Sequence, residues 1–377
     1  MSNWKIPLYK IHTNDSDVRS VSKVVHRNMD WAIGPEIEKF EKNLAKYVGT
    51  KFCIAFNSGT SALHASLLSI DLKPKQEVIV PSFTFISTAN SVLMTGGIPH
   101  FVDIEKNRLG LDPDKTECAI SKNVKAIIPV HYAGLPCKIE ELRQIADRKK
   151  IYVIEDAAES LGSKTNKKMT GAFGDLSILS FAPNKIITTG EGGAVLTNSK
   201  QLFEKLKLIR SHGRLENFNY FKSSLKPKYV RLGYNWRMPS MVAALGISQL
   251  NRIEKLINMR RKNAHYLSSK LKNFSEITLP SEPTNSKHVF QLYSIILSDP
   301  ELKNKLMNFL SKKGIMSKVY FDSIHQTDFY KKTKFKRSNL QNTEEISNKI
   351  LSLPMYPDLK IKELNYIVDS ISDFFKN

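Results

Sequence analysis

The chain reads as an α/β protein, with a large domain built on a mostly parallel sheet and a smaller C-terminal α+β domain. Three features point there. Short β-branched runs alternate with helical patterns over roughly the first 260 residues, the strands are apolar without interruption, and the alternation lapses afterwards. In order, Lys51–Phe56 reads as a strand and Ser61–Ser69 as a helix. Glu77–Val80 is a strand, Ser87–Met94 a helical run and Pro99–Asp103 strand-like. Val124–Val130 is an apolar strand, and Ile139–Arg148 is a helix with Leu142, Ile145 and Ala146 on one face. Ile151–Ile154, Leu176–Phe181 and Gly193–Thr197 are further strands, and Gln201–Arg210 is a helix. Met241–Lys272 reads as one or two long helices, whose polar stretch Arg252–Arg261 carries the chain out of the first domain. Beyond it lie strands at Val289–Leu297 and Ile315–Tyr320 and helices at Pro300–Lys312, Glu344–Leu351 and Ile361–Phe375. The expected division is a large domain over 13–255 and a small one over 256–377, with residues 1–12 packed against the small domain.

A length of 377 residues predicts two or three units at roughly 150 residues each. Such a chain buries a large core without disulfide or metal staples. Apolar residues at 41% and charged residues at 25% argue against disorder. No apolar run approaches the roughly 18 residues of a membrane span, and the start MSNWKIPLYK lacks a secretory h-region. Cys53, Cys118 and Cys137 are far apart with no C-x-x-C pair, so neither a zinc site nor a disulfide framework is indicated. The expectation is a cytoplasmic enzyme with no membrane partner. Lys plus Arg number 57 against 36 Asp plus Glu, a net charge of +21, which invites a nucleic-acid reading. However, the basic residues are spread along the chain, and the denser groups (Lys164 to Lys168, Lys331 to Lys336) are not interleaved with aromatics. No nucleic-acid partner is expected. A solvated surface, or a field that gathers small polyanions such as nucleotide diphosphates, accounts for the charge.

Three segments carry chemistry. In Asn57-Ser58-Gly59-Thr60-Ser61-Ala62-Leu63 a strand gives way through small residues to a helix. Free N–H groups there, with the hydroxyls of Thr60 and Ser61, make a phosphate cradle; Ser and Thr are equally common as plain helix caps. In Ile154-Glu155-Asp156-Ala157-Ala158-Glu159 an apolar strand delivers acids at its C-terminal end, where open α/β sheets bind ligands. The alternative is a pair of solvated loop acids. In Ser180-Phe181-Ala182-Pro183-Asn184-Lys185 a lone lysine follows a strand among apolar and small residues. Desolvation there favours the neutral amine, which can form a Schiff base. Together an Asp, a Lys and a phosphate cradle supply handles for the ring nitrogen, aldehyde and phosphate of pyridoxal 5′-phosphate. Phe85 is placed to stack on the ring or to pack in the core. No G-x-G-x-x-G, Walker A, H-E-x-x-H or G-x-S-x-G competes.

These motifs make the chain resemble the DegT/DnrJ/EryC1/StrS family of sugar-nucleotide aminotransferases, which has the aspartate aminotransferase (type I) fold. The resemblance also runs through Ile33-Gly34-Pro35, Pro81-Ser82-Phe83-Thr84-Phe85 and Thr189-Gly190-Glu191-Gly192-Gly193. It continues in Gly233-Tyr234-Asn235-Trp236-Arg237-Met238 and Leu353-Pro354-Met355-Tyr356-Pro357. It implies that Lys185 bonds covalently to the cofactor and moves protons at the substrate carbon, while Asp156 pairs with the ring nitrogen. Gly59, Thr60 and Ser180 would bind the phosphate, and Phe85 would cover the ring. Asn235 would reach the phosphate held by a second subunit, so the site would be shared across a homodimer. Arg237 would meet the amino donor's carboxylate or tie a loop, and His325 would touch the sugar nucleotide or serve in packing.

Glu159 stands where many members carry Gln or His beside the cofactor's phenolic oxygen. Two anionic oxygens would repel there, so a shared proton and a raised Glu159 pKa are expected. The Glu variant is similar to perosamine-synthase-like enzymes acting at C4 of 4-keto-6-deoxy sugars. The implied partners are a nucleotide-linked keto sugar, L-glutamate and 2-oxoglutarate, with basic residues on His212–Lys228 receiving the diphosphate. The alternatives are C3 amination, or a non-transaminating enzyme of the same fold.

Overall fold

The computed structural model describes residues 4–215 and 224–376. The chain opens with two helices that the sequence reading left unassigned. α1 (Asp15–His26) starts at a capping box, the Asn14 side chain accepting from backbone N–H groups while Asp17 returns to the Asn14 N–H. α2 (Pro35–Val48) has proline in its first turn and stops at Gly49, φ 89°. Then come β1 (Phe52–Phe56), α3 (Gly59–Ser69), β2 (Glu77–Pro81), α4 (Ser87–Met94), β3 (Ile98–Val102), α5 (Pro113–Ala119), β4 (Val124–Ile127), α6 (Ile139–Lys149) and β5 (Tyr152–Asp156). A hairpin of β6 (Lys164–Thr165) and β7 (Lys168–Met169) turns on Asn166 and Lys167, left-handed at φ 46° and 66°. The basic cluster noted there is this hairpin.

β8 (Leu176–Ser180), β9 (Gly193–Thr197) and α7 (Lys200–Arg210) follow, then α8 (Ser240–Leu250) and α9 (Ile253–Leu271), two helices rather than one. The remainder is β10 (Ile277–Thr278), β11 (Ser286–Lys287), β12 (Tyr293–Leu297), α10 (Pro300–Lys312), α11 (Asp328–Lys331), β13 (Lys336–Arg337), α12 (Gln341–Lys349), β14 (Ile350–Leu353) and α13 (Ile361–Lys376). The strand expected over Val289–Leu297 begins only at Tyr293 and the one over Val124–Val130 ends at Ile127, and two further expectations fail. Ile315–Tyr320 makes only single bridges, Ile6 to Ile315 and Lys318 to Ser352, and is not a strand. The helix expected over Glu344–Leu351 ends at Lys349, because Ile350 and Leu351 turn extended to pair with Ile296 and Ile295 of β12.

The main sheet has eight strands in the order β1-β9-β8-β5-β4-β2-β3-β13. Antiparallel β9 sits between β1 and β8, and the pairs from β8 to β13 are parallel. Side chains alternate between faces, and both faces are apolar. Ile54, Phe56, Val78, Val80, Ile154 and Ile178 join one buried cluster with α3 and α7. Cys53, Ala55, Leu179 and Leu196 join another with α2 and α8 on the opposite face. A three-stranded sheet β10-β12-β14 carries the third large cluster, which also takes Ile6.

α9 spans these cores. Its Ile253, Leu256 and Ile257 pack with the main sheet and its Ala264, Leu267 and Leu271 with the smaller one. The C-terminal part also crosses back, since Ile324, Tyr330 and Leu340 lie in the main core and β13 extends the main sheet beside β3. Among the described residues no helix is long and apolar enough to cross a membrane.

Candidate active site

Parallel strands deliver their C-terminal ends to one edge of a sheet, where the loops diverge and leave a crevice. β5 and β8 end here in Asp156 and Ser180, and β1, parallel to β8 across β9, leads here into α3. The crevice is a cavity of about 270 Å³ whose wall includes Gly59, Thr60, Phe85, Asp156, Glu159, Ser180 and Lys185. Seven sequence-predicted residues therefore meet in one pocket.

One end of the cavity is the N-terminus of α3. Ser58 is the cap, its Oγ accepting from the Ser61 N–H at 3.1 Å. Ser61 is not part of the cradle, contrary to expectation. It is buried, and its hydroxyl donates to Asn57 Oδ1 at 2.7 Å, completing the cap from inside. Thr60, the α3 backbone and the Ser180 hydroxyl remain to receive an anion. Gly59 keeps the space open, because a Cβ there would lie 3.0 Å from Ser180 Cβ and 3.2 Å from its Oγ. Gly59→Ala is therefore expected to weaken cofactor binding about tenfold in an absorbance titration, through crowded hydrogen bonds to the phosphate, while α3 stays intact.

β5 presents consecutive acids, and the two-residue period of a strand separates them. Asp156 lines the cavity. Its Oδ2 accepts from Thr88 Oγ1 at 2.9 Å and its Oδ1 from the Ala158 N–H at 3.2 Å. Burial pushes this carboxyl above the ordinary aspartate range, and the two donors and the Lys185 charge oppose that only in part. Glu155 is fully buried elsewhere. It accepts from His131 Nε2, from the N–H groups of Gly171, Phe173 and Gly174, and from Ser177 Oγ, at 2.6–3.0 Å. Burial alone would raise it, but His131 and the backbone donors outweigh that and hold it low.

Lys185 reaches the cavity from the loop after β8, its Nζ 3.4 Å from Glu159 Oε1. The apolar and small neighbours expected of this lysine, such as Ile178 and Ala182, share the wall with acids. Glu159 is buried, and its Oε2 accepts from the Ala133 N–H at 2.8 Å. Its pKa is raised as expected, but by burial first, with Lys185 and the Ala133 N–H opposing and the Asp156 charge adding. Phe85 is 57% exposed at the mouth, its ring 6.3 Å from that of Phe321, so it is not a core residue.

Three expected residues lie outside this wall. Asn235 is exposed on a segment tied to the site through the bond from the Asn57 N–H to the Trp236 carbonyl. Arg237 donates from its guanidinium to Ser211 Oγ at 3.2 Å, so it ties a loop within its own chain. His325 is buried with both ring nitrogens engaged, Nδ1 by Ser82 Oγ at 2.7 Å and Nε2 by Glu344 at 3.0 Å, and it does not line the cavity. Of the stretch His212–Lys228, residues 216–223 lie outside the described residues.

The structure adds groups that sequence reasoning missed. Thr88, bonded to Thr84 at 3.2 Å as well as to Asp156, was visible only as the i+4 partner of Thr84. Tyr320 comes from the distant C-terminal part, accepts from Asn184 Nδ2 and lines the cavity. Burial, then the Glu159 charge, pushes its hydroxyl well up, so it stays protonated.

Among known proteins, the model described as the DegT/DnrJ/EryC1/StrS aminotransferase family matches residues 12–372. GDP-perosamine synthase from Caulobacter vibrioides is 34% identical over 343 residues, 90% of each chain. UDP-4-amino-4,6-dideoxy-N-acetyl-beta-L-altrosamine transaminase from Campylobacter jejuni is 33% identical over 95% of this chain and 94% of its own. A solved structure of PseC from Helicobacter pylori, an aminotransferase involved in the biosynthesis of pseudoaminic acid, superposes with a TM-score of 0.91 at 29% identity, covering 98% of this chain and 99% of that one. An amine, a buried carboxylate and an anion cradle around one cavity suit a phosphorylated pyridine aldehyde. The chain belongs to the DegT/DnrJ/EryC1/StrS aminotransferase family, enzymes that transfer amino groups with pyridoxal 5′-phosphate as cofactor.

Proposed function

We propose that this sugar aminotransferase aminates C4 of a nucleotide-linked 4-keto-6-deoxy hexose, with L-glutamate as donor and 2-oxoglutarate as by-product. The observation that carries this reading is Lys185, Asp156 and Glu159 gathered in one cavity of a chain whose relatives include a GDP-perosamine synthase. The amino sugar would serve surface glycan or lipopolysaccharide assembly, and the enzyme would work in the cytoplasm.

When bound, pyridoxal phosphate carries the migrating nitrogen between the half-reactions and disperses negative charge from the substrate carbon. The chain's own groups do the rest. Thr60, Ser180 and the α3 terminus hold the phosphate. Asp156, held in place by the Thr88 hydroxyl and the Ala158 N–H, would keep a proton on the ring nitrogen. Lys185 would hold the cofactor through its amine and would move a proton at the substrate carbon. Glu159 shares a proton with the phenolic oxygen. Phe85 covers the ring and excludes water. Their placement before reaction, rather than movement during it, lowers the barrier. Keto sugars carried on GDP, UDP and dTDP, offered with glutamate, test the specificity. A 4-amino product identified by NMR supports the reading, and a 3-amino product overturns the position assigned.

We also propose a homodimer in which Asn235 completes the partner's phosphate site. Asn235 is exposed and outside its own cavity wall, and exposed Leu232 and Trp31 flank the segment, the Trp31 carbonyl accepting from the Ser240 N–H. Equal amounts of Lys185→Ala and Asn235→Ala subunits, allowed to re-pair, are expected to regain about a quarter of wild-type activity. Half the dimers are then mixed, and each holds one intact site. No rescue would mean that each site is built from one chain.

A further inference from the structure

Behind Glu159 lies an arrangement that the proposed mechanism does not use. β4 is followed by His131 and a single 3-10 turn, Tyr132–Gly134, in which Ala133 is left-handed at φ 56°. A residue with a side chain seldom adopts that conformation, and it persists where the surroundings impose it. Here they do so from several sides. His131 is fully buried, its Nδ1 accepting from the Cys137 N–H at 3.1 Å and its Nε2 bonded to the anchored Glu155 at 3.0 Å. The Leu292 N–H donates to the Ala133 carbonyl at 3.3 Å, and the Val289 N–H to that of Gly134 at 3.1 Å. Ser163 Oγ also donates to the Gly134 carbonyl, at 2.6 Å. Held this way, the turn aims the Ala133 N–H at Glu159 Oε2, 2.8 Å away, while Oε1 faces Lys185 at 3.4 Å.

We propose that the Ala133 N–H decides which oxygen of Glu159 carries a proton, keeping Oε2 as an acceptor and confining the proton to Oε1 on the cavity side. A carboxylic acid accepts best through its carbonyl oxygen, so an N–H at hydrogen-bond distance from Oε2 favours the acid form with its hydroxyl on Oε1. The groups around Glu159 leave that oxygen as the useful one. Lys185 Nζ lies 3.4 Å from it, and Asp156, Tyr132 and Tyr320 are close enough to exchange electrostatic influence with this carboxyl. The inference rests on the proposed function, in which the same carboxyl shares a proton with the bound cofactor. Ala133 acts through Glu159 and is a positioning residue, with His131 and Glu155 as the seat of its turn.

The test uses the full chain without cofactor, so its outcome is independent of whether Lys185 has the role assigned to it. In protein labelled with ¹⁵N-alanine, the Ala133 amide signal is identified by its loss in Ala133→Gly. It is expected to move with pH as Glu159 titrates and to stay flat in Glu159→Gln. A flat signal in the wild type overturns the proposal. Replacing Ala133 by lactic acid exchanges its N–H for an ester oxygen and keeps the side chain. The Glu159 midpoint, read by infrared difference against Glu159→Gln, is then expected to rise by about one to two pH units. An unchanged midpoint in that protein would equally count against it.

Discussion

Lys185→Ala is expected to reduce transamination to background, a loss of roughly 10⁴-fold or more, because covalent attachment and proton movement disappear together. The fold should survive. Lys185 lies in a loop after β8, outside any helix or strand, and its amine meets Glu159 rather than a structural partner. Far-UV circular dichroism should match the wild type, while the visible band of the bound cofactor and its bleaching by glutamate should be lost. Removing the cation also leaves Asp156 and Glu159, both buried, without the charge that opposes their upward shifts, so both carboxyls should protonate more readily. Normal turnover by this variant would remove Lys185 from the mechanism.

Asp156→Asn should cost about 10²–10³ in kcat/KM, since a neutral amide cannot hold a proton on the ring nitrogen by charge. The same change should stabilise the cofactor-free protein at neutral pH. Burial raises the folded-state pKa of Asp156 above its ordinary 3.8. Between those two values the folded chain holds a proton that the unfolded chain has lost, so stability falls as pH rises through that window. Above it the ionised, buried carboxylate keeps destabilising the fold, and Asn relieves this. Asn also fits the site, with its carbonyl toward the Ala158 N–H and its amide toward the Thr88 hydroxyl, which can accept as well as donate. The Tm of cofactor-free Asp156→Asn should exceed that of the wild type at pH 7, and the gap should close as pH falls below the window. An equal or lower Tm at pH 7 would mean that Asp156 carries no such penalty. Stability sacrificed at a binding site in this way is common in enzymes.

Seven strands of the main sheet were legible because they are short and apolar, and two-sided burial leaves that mark on sequence, whereas the edge strand β13, Lys336–Arg337, is exposed and charged and was not foreseen. α1 and α2 were missed although both carry clear start signals, the Asn14 box and Pro35. The end of α12 was misread because Ile350 and Leu351 suit a helix as well as a strand, and only pairing with β12 decides between them. The motif residues Gly59, Asp156 and Ser180 could be named from sequence because each sits at the end of a strand or the start of a helix, and Lys185 because it is a lone lysine in the loop that follows such a strand. His325 could not be placed that way, since a lone histidine carries no sign in sequence of which neighbours will take its two nitrogens.

Sequence alone determined the fold class and the amino acids at the strand ends, because periodicity and chain order are local properties. Only the tertiary structure decided that Ser61 turns inward, that Glu155 and Asp156 part to different surroundings, that Thr88 and Ala133 bond to Asp156 and Glu159, and that Tyr320 lines the cavity. Those contacts join residues as far as 136 positions apart, Asn184 to Tyr320. The direction of a hydroxyl or the face of a carboxylate is set by what packing brings alongside it.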